Sequence, residues 1–251
     1  MAKTNTKQVV NAPDNLPAHL KGAVGSNKGQ ENTSADDIAI PRLSLVQALS
    51  PVRDKKEDTY IEGIEEGDIY NTITEENYST SVVVIPVVYR REYQVWEIKR
   101  TAGSGFYGSF ESREVAEKGM ADTMAEPEFD KKLEVLEVPV FFALVVNEDK
   151  TEEVVISFPR TKAKVAKKWN SLIRMANMAS FAKSYTLSSV NDESDQGKFH
   201  NFQIKTGGYV DDAQYKAANI LYEAVMAGTA KAAPEAPTEN TADGDPKGVD
   251  Y

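Results

Sequence analysis

The chain has 251 residues, 41% of them hydrophobic, no cysteine, and a formal net charge of -10 at pH 7. That length and apolar content allow one large domain or two small ones with a real core, and the missing cysteine excludes disulfide frameworks, thiolate zinc sites and cysteine nucleophiles. No apolar run approaches the ~20 residues that a helix needs to cross a bilayer, and the N-terminus lacks the apolar centre of a secretory signal, so a soluble, cytoplasmic protein is expected.

In chain order, residues 1–36 hold mostly Asn, Lys, Gly, Gln, Thr and Ala with few large apolar side chains, which predicts a disordered N-terminal arm. Residues 40–51 bring the first apolar density and predict a short strand or helical turn at the domain edge. A carboxylate-rich stretch over 54–76 follows, punctuated by Gly63 and Gly67 as turns. From 81 to 100 the β-branched and aromatic content predicts strand structure, bent near Pro86 or near 90–92 because the run is long for one flat strand. Residues 103–110 read as a Gly-rich aromatic loop, and 112–124 as a helix, an insertion by its placement.

Strands are predicted at 133–146 and 152–158, joined by a hairpin turn at 147–150. A helix is predicted over 161–178, then strands at 185–190 and 199–206 around an acidic turn at 191–197. Asp211 has the chemistry to cap a last helix that runs to Met226 and stops at Gly228. Residues 228–251, rich in Ala, Pro, Thr and acids, predict a disordered acidic tail. The folded unit is therefore expected over 37–227 as one mainly β domain, an OB-fold-like β-barrel with insertions, one internal basic amphipathic helix and a C-terminal helix.

The functional signal lies in the predicted internal helix. Arg160, Lys162, Lys164, Lys167, Lys168, Arg174 and Lys183 occur with no acid among them, although the whole chain is acidic. On a helical wheel Val165, Trp169, Leu172, Ile173 and Ala176 share one face, with Arg160, Lys164, Lys167 and Lys168 opposite. Ordinary solvated helix faces interleave Glu with Lys, so a one-signed face points to a polyanion such as nucleic acid. A second signal pairs aromatics with cations: Tyr89, Arg91 and Tyr93 alternate onto one side of the long strand, Arg90 and Trp96 onto the other, and Phe106, Tyr107 and Phe110 follow. Aromatic platforms that stack bases, together with cations that track phosphates, bind single strands. The third signal is the tail, ending in Asp243, Asp245, Asp250 and Tyr251, which has the charge to compete with nucleic acid and to engage partner proteins.

A disordered start, a strand-rich middle with Tyr, Trp and Arg on a long strand, and an acidic tail closing on Asp250-Tyr251 resemble the bacteriophage single-stranded DNA-binding proteins. The segments Ile40-Pro41-Arg42-Leu43, Tyr60-Ile61-Glu62-Gly63 and Lys168-Trp169-Asn170-Ser171-Leu172 also resemble an uncharacterised phage family. The resemblance implies an OB-fold barrel, phage replication or recombination as the setting, no cofactor, and replication or recombination proteins as partners through the tail. In those proteins the final aromatic follows a denser acidic cluster than the one in this chain.

Enzymatic signatures are sparse: the histidines are His19 and His200, and no phosphate loop, GxSxG or HExxH pattern occurs. The pattern that remains is Asp68 with Glu97-Ile98-Lys99, the carboxylate and Glu-x-Lys arrangement of a metal-dependent nuclease. A non-enzymatic protein is expected, with that nuclease as one alternative. The other is a virion or scaffold protein whose basic helix meets protein.

Overall fold

The computed structural model describes residues 17–23, 28–29, 31–33, 39–98, 105–147, 150–194 and 197–233. The first apolar segment divides into β1 (Ala39–Ile40) and β2 (Arg42–Leu45) around Pro41, and β3 (Ile69–Asn71) returns antiparallel to β2. The β-branched run becomes one strand, β4 (Ser81–Glu97), 17 residues long. Its register on the neighbouring strand shifts between Pro86 and Val88. Pro86 has no N–H to give to a ladder, so a bulge with a local bend is the expected consequence.

Residues expected to form a Gly-rich loop instead supply β5 (Phe106–Phe110), which pairs antiparallel with the far end of β4. α1 (Arg113–Met124) follows, its first turn capped by the Ser112 side chain accepting from the Val115 N–H. β6 (Leu133–Val146) has the bounds expected from its apolar pattern and pairs with β4 from Val83↔Val146 to Glu97↔Leu133. β7 (Thr151–Ser157) is antiparallel to β6 and parallel to β2.

α2 (Ala163–Ala176) ends where Asn177 takes a left-handed conformation, φ 50°. β8 (Lys183–Ser194) and β9 (Gly197–Tyr209) form a longer hairpin than expected, because the acidic segment continues both strands. α3 (Asp212–Met226) carries the capping box: Asp211 Oδ1 accepts from the Gln214 N–H at 2.8 Å, and Gln214 Oε1 accepts from the Asp211 N–H at 3.2 Å. β10 (Lys231–Ala232) then pairs with β1, and the Ala233 carbonyl accepts from Arg42 Nε at 2.7 Å. The fold therefore continues past Ala227, the end expected from composition, to Ala233.

The main sheet has the order β3-β2-β7-β6-β4-β8-β9, with β5 beside β4. It is a curled half-barrel with three α-helices among the described residues, mainly β as expected. Among the described residues it is not a closed ring, since β3 and β9 end the strand path. Alternation along the strands gives it two buried faces. On one, Trp169 and Ala166 of α2 cover Phe141, Phe158, Tyr185 and Phe202. On the other, Ala218, Leu221 and Val225 of α3 cover Ile85, Val140, Phe142 and Leu144. α1 closes the far end, setting Ala116 against Val95 and Leu133. No helix among the described residues is long and apolar enough to cross a membrane.

Candidate nucleic-acid interface

α2 is anchored by a ring cluster. Trp169 is fully buried, stacked on Phe141 at 4.3 Å and edge-on to Phe158 at 6.0 Å and to Tyr185 at 5.7 Å. Such pairs add about 0.5–1.5 kcal/mol each beyond area burial. With that face committed to the sheet, Lys164, Lys167, Lys168 and Arg174 are turned to solvent. Among the described residues none of these four forms an ion pair or a side-chain hydrogen bond. Their field is therefore available to an external anion.

The two cations that precede the helix behave differently. Lys162 is 6% exposed, within the turn Arg160–Lys162 that joins β7 to α2. Arg160, in the left-handed region at φ 48°, pairs with Glu134 at 2.8 Å. Both are tied into the fold by the chain reversal at the end of the sheet, which a helical wheel drawn from the sequence does not include.

The expected aromatics also divide. Tyr89 is 38% exposed and meets Phe141 edge-on at 5.2 Å. Because Phe141 also stacks on Trp169, Tyr89 lies on the same face of the sheet as α2. Arg91 shares that face by alternation; its Nε donates to the Tyr89 hydroxyl at 3.4 Å, and Nη1 pairs with Glu137 at 2.9 Å. The Tyr89 hydroxyl first, and Glu137 second, push the Arg91 guanidinium further above its usual range. Tyr93 instead lies beneath the Arg113 guanidinium of α1, 5.5 Å from its ring centre.

Trp96 is 4% exposed, in ring contact with Phe106 at 4.9 Å, and its indole N–H donates to Gln94 Oε1 at 3.0 Å. Tyr107 packs edge-on to Phe129 at 5.5 Å, in the cluster under α1. Trp96 is thus occupied by the core, contrary to the expectation that it offers a face to a base, and Phe106 and Tyr107 are half-buried against neighbouring rings. The reason is β5: a strand places these rings against its neighbours, where a loop would leave them free. Arg90 points to the opposite face, and its Nη2 donates to the Val225 carbonyl near the C-terminus of α3 at 3.1 Å.

The nuclease alternative does not assemble. Asp68 adjoins Ile69, which is hydrogen-bonded to Ser79 just before β4 begins, whereas Glu97 ends β4, on the order of 50 Å away along the strand. Asp68 accepts from the Glu65 N–H at 2.9 Å and from Asn77 Nδ2 at 2.7 Å, and Glu97 pairs with Lys131 at 3.1 Å. Lys99 lies outside the described residues. No group of three or more His, Cys, Asp or Glu suited to a metal occurs among the described residues.

A profile of the Pam3 phage gp34-like protein family matches residues 5–231. The chain belongs to that family. The match bears out the expectation of a phage protein and spans every element from β1 to α3. Comparison with curated proteins and with solved structures found no match.

In this member of the Pam3 phage gp34-like family, the structure therefore gathers Lys164, Lys167, Lys168, Arg174, Tyr89 and Arg91 on one face of the half-barrel. It directs Arg90, Trp96 and Phe106 to the other. Asp243, Asp245, Asp250 and Tyr251 lie outside the described residues. Three exposed tyrosines, Tyr209, Tyr215 and Tyr222, were not singled out by sequence reasoning. The available signal was the seven-residue spacing of Tyr215 and Tyr222, which puts both on one face of α3, but the same spacing equally describes a core-facing stripe.

Proposed function

We propose that this phage protein binds single-stranded DNA without sequence specificity during phage replication or recombination, in the host cytoplasm. The observation that carries the reading is the α2 face: four cations without acidic partners among the described residues, in a chain of net charge -10. Tyr89 and Arg91, on the same side of the sheet, support it by adding a partly exposed ring beside a guanidinium. The fold reading that goes with it is an OB-like barrel left open along one side, supported by the curl of the sheet. In this scheme the cations hold phosphates, Tyr89 meets a base, and the acidic tail modulates access and recruits replication or recombination proteins.

The test is fluorescence anisotropy of labelled oligo-dT and a matched duplex, titrated at several salt concentrations. Preference for the single strand, with log K falling against log salt at a slope of about -3 for four neutralised phosphates, is expected. Replacing Lys164, Lys167 and Lys168 by Ala should make the slope shallower by about 2, with stability changed by no more than about 0.5 kcal/mol because these are exposed sites. Absence of binding to either oligonucleotide at low salt overturns the reading. A defined homo-assembly formed without DNA would then favour a scaffold role.

A further inference from the structure

We infer that the exposed tyrosines beside and along α3 form a second base-stacking platform, reached from α2 around the edge of β4; this rests on the single-strand reading above. α2 and α3 cover opposite faces of the sheet, yet the connection from α2 to β8 crosses between them. The Ser180 hydroxyl donates to the Val87 carbonyl of β4 at 2.7 Å. The next residue, Phe181, is buried on the α3 side, 5.0 Å from the Tyr215 ring and 6.0 Å from Tyr222. On that side of β4, β8 pairs over 81–84 and β5 over 93–96, so the stretch between them has no strand partner there among the described residues. The turn 180–182 covers this edge at Val87, and beyond it Tyr89, Arg90 and Arg91 are exposed, which is where a flexible polymer would pass from the basic helix to α3.

The three rings have the chemistry for bases. Tyr209 is 72% exposed, Tyr215 41% and Tyr222 40%. None of their hydroxyls forms a hydrogen bond among the described residues. Tyr215 and Tyr222 are two helical turns apart, about 10 Å along the axis, and Phe181 backs both rings. Cations stand nearby: Arg90 reaches the Val225 carbonyl at the C-terminal end of α3, and Lys183 Nζ lies 4.9 Å above the Tyr209 ring, a pair that alternation from Tyr185 sets on the α2 side of the sheet.

The acids of α3 are engaged locally: Asp211 caps the helix, Asp212 pairs with Lys216 at 2.5 Å, and Glu223 accepts from Asn219 at 2.8 Å. Exposed rings with Arg90 at one end, joined to an unpaired basic helix, match a single-stranded polyanion better than a neutral protein surface. Stacking requires unpaired bases, so this platform would set the preference for single strands over duplex.

The experiment compares wild-type full-length chain with Tyr209→Ala, with Tyr215→Ala/Tyr222→Ala and with Tyr215→Phe/Tyr222→Phe. Binding to labelled oligo-dT and to matched duplex is measured, with folding checked by circular dichroism. Each ring removed from a stack should weaken oligo-dT binding about 5- to 150-fold, the equivalent of about 1–3 kcal/mol per base. Duplex binding should change little, and the Phe variant should bind as wild type. Wild-type selectivity in folded Ala variants overturns the platform while leaving the α2 reading intact, as does equal loss for oligo-dT and duplex. If the double Ala variant does not fold, Tyr209→Ala decides in the same terms. A wild-type chain that binds neither oligonucleotide removes both readings.

Discussion

Gln47 and His200 exchange two hydrogen bonds in the manner of paired strands, although Gln47 contributes only its side chain. Gln47 Nε2 donates to the His200 carbonyl at 2.9 Å, and the His200 N–H donates to Gln47 Oε1 at 2.9 Å. The amide stands in for a missing strand and ties the segment after β2 to β9. Beside it, His200 Nδ1 meets Ser189 Oγ at 3.0 Å and Nε2 meets Glu66 at 3.3 Å. Gly67 lies so close that an added Cβ would stand 2.7 Å from the imidazole Cε1.

Gln47→Ala strands both His200 backbone groups, at a cost of about 1–3 kcal/mol for each one left without a partner. A lower urea midpoint is expected, with Gln47→Glu, which loses the donor alone, between Ala and wild type. Gly67→Ala should destabilise as well, through the close contact and its φ of +89°.

Intrinsic fluorescence separates core from platform. Trp96 and Trp169, the two tryptophans of the chain, are both buried. Saturating oligo-dT is therefore expected to leave the tryptophan emission maximum where it is, while anisotropy of the labelled DNA rises. Trp96→Ala should cost about 3–5 kcal/mol of stability as a core truncation. A large emission shift with DNA would return Trp96 to the interface.

Glu153 lies on the α3 side of β7, in alternation with Val155, and has no hydrogen bond or ion pair among the described residues. Burial pushes its carboxyl above the usual range. The folded chain then holds this proton to higher pH than the unfolded chain does, so its contribution is full below the unfolded carboxylate range and is lost as pH rises through the folded value. Glu153→Gln should raise the urea midpoint near pH 7 and change it little near pH 3, where both states are protonated.

The boundary of the tail matters for testing it. Ala233 donates its N–H to the Ile40 carbonyl at 2.8 Å and accepts from Arg42 at 2.7 Å, and Arg42 also pairs with Glu92 at 2.9 Å. A truncation after Ala233 keeps these bonds, whereas one after Gly228 removes β10. The longer form should bind oligo-dT more tightly than the full chain, most clearly at low salt where charge competition is least screened. Equal affinities would count against tail competition.

The elements legible in the sequence were those specified by local chemistry. Asp211 marked the start of α3, the apolar run over 133–146 marked β6, and Pro86 was one of the two places expected for the bend in β4. α2 was legible as amphipathic because Trp169, Leu172 and Ile173 recur at helical spacing. The same periodicity placed Arg160, Lys164, Lys167 and Lys168 opposite that stripe, and the exposure of Arg174 was added by the structure. Residues whose surroundings come from distant chain could not be read this way. Phe106 and Tyr107 looked loop-borne until β5 paired with β4, and Arg160 looked free until it met Glu134. Periodicity determined by itself which side of each element is apolar. Which strands pair, which rings are covered, and which cations keep a neighbouring acid were decided only when segments remote in sequence came into contact, because burial and ion pairing are properties of those contacts rather than of the residues alone.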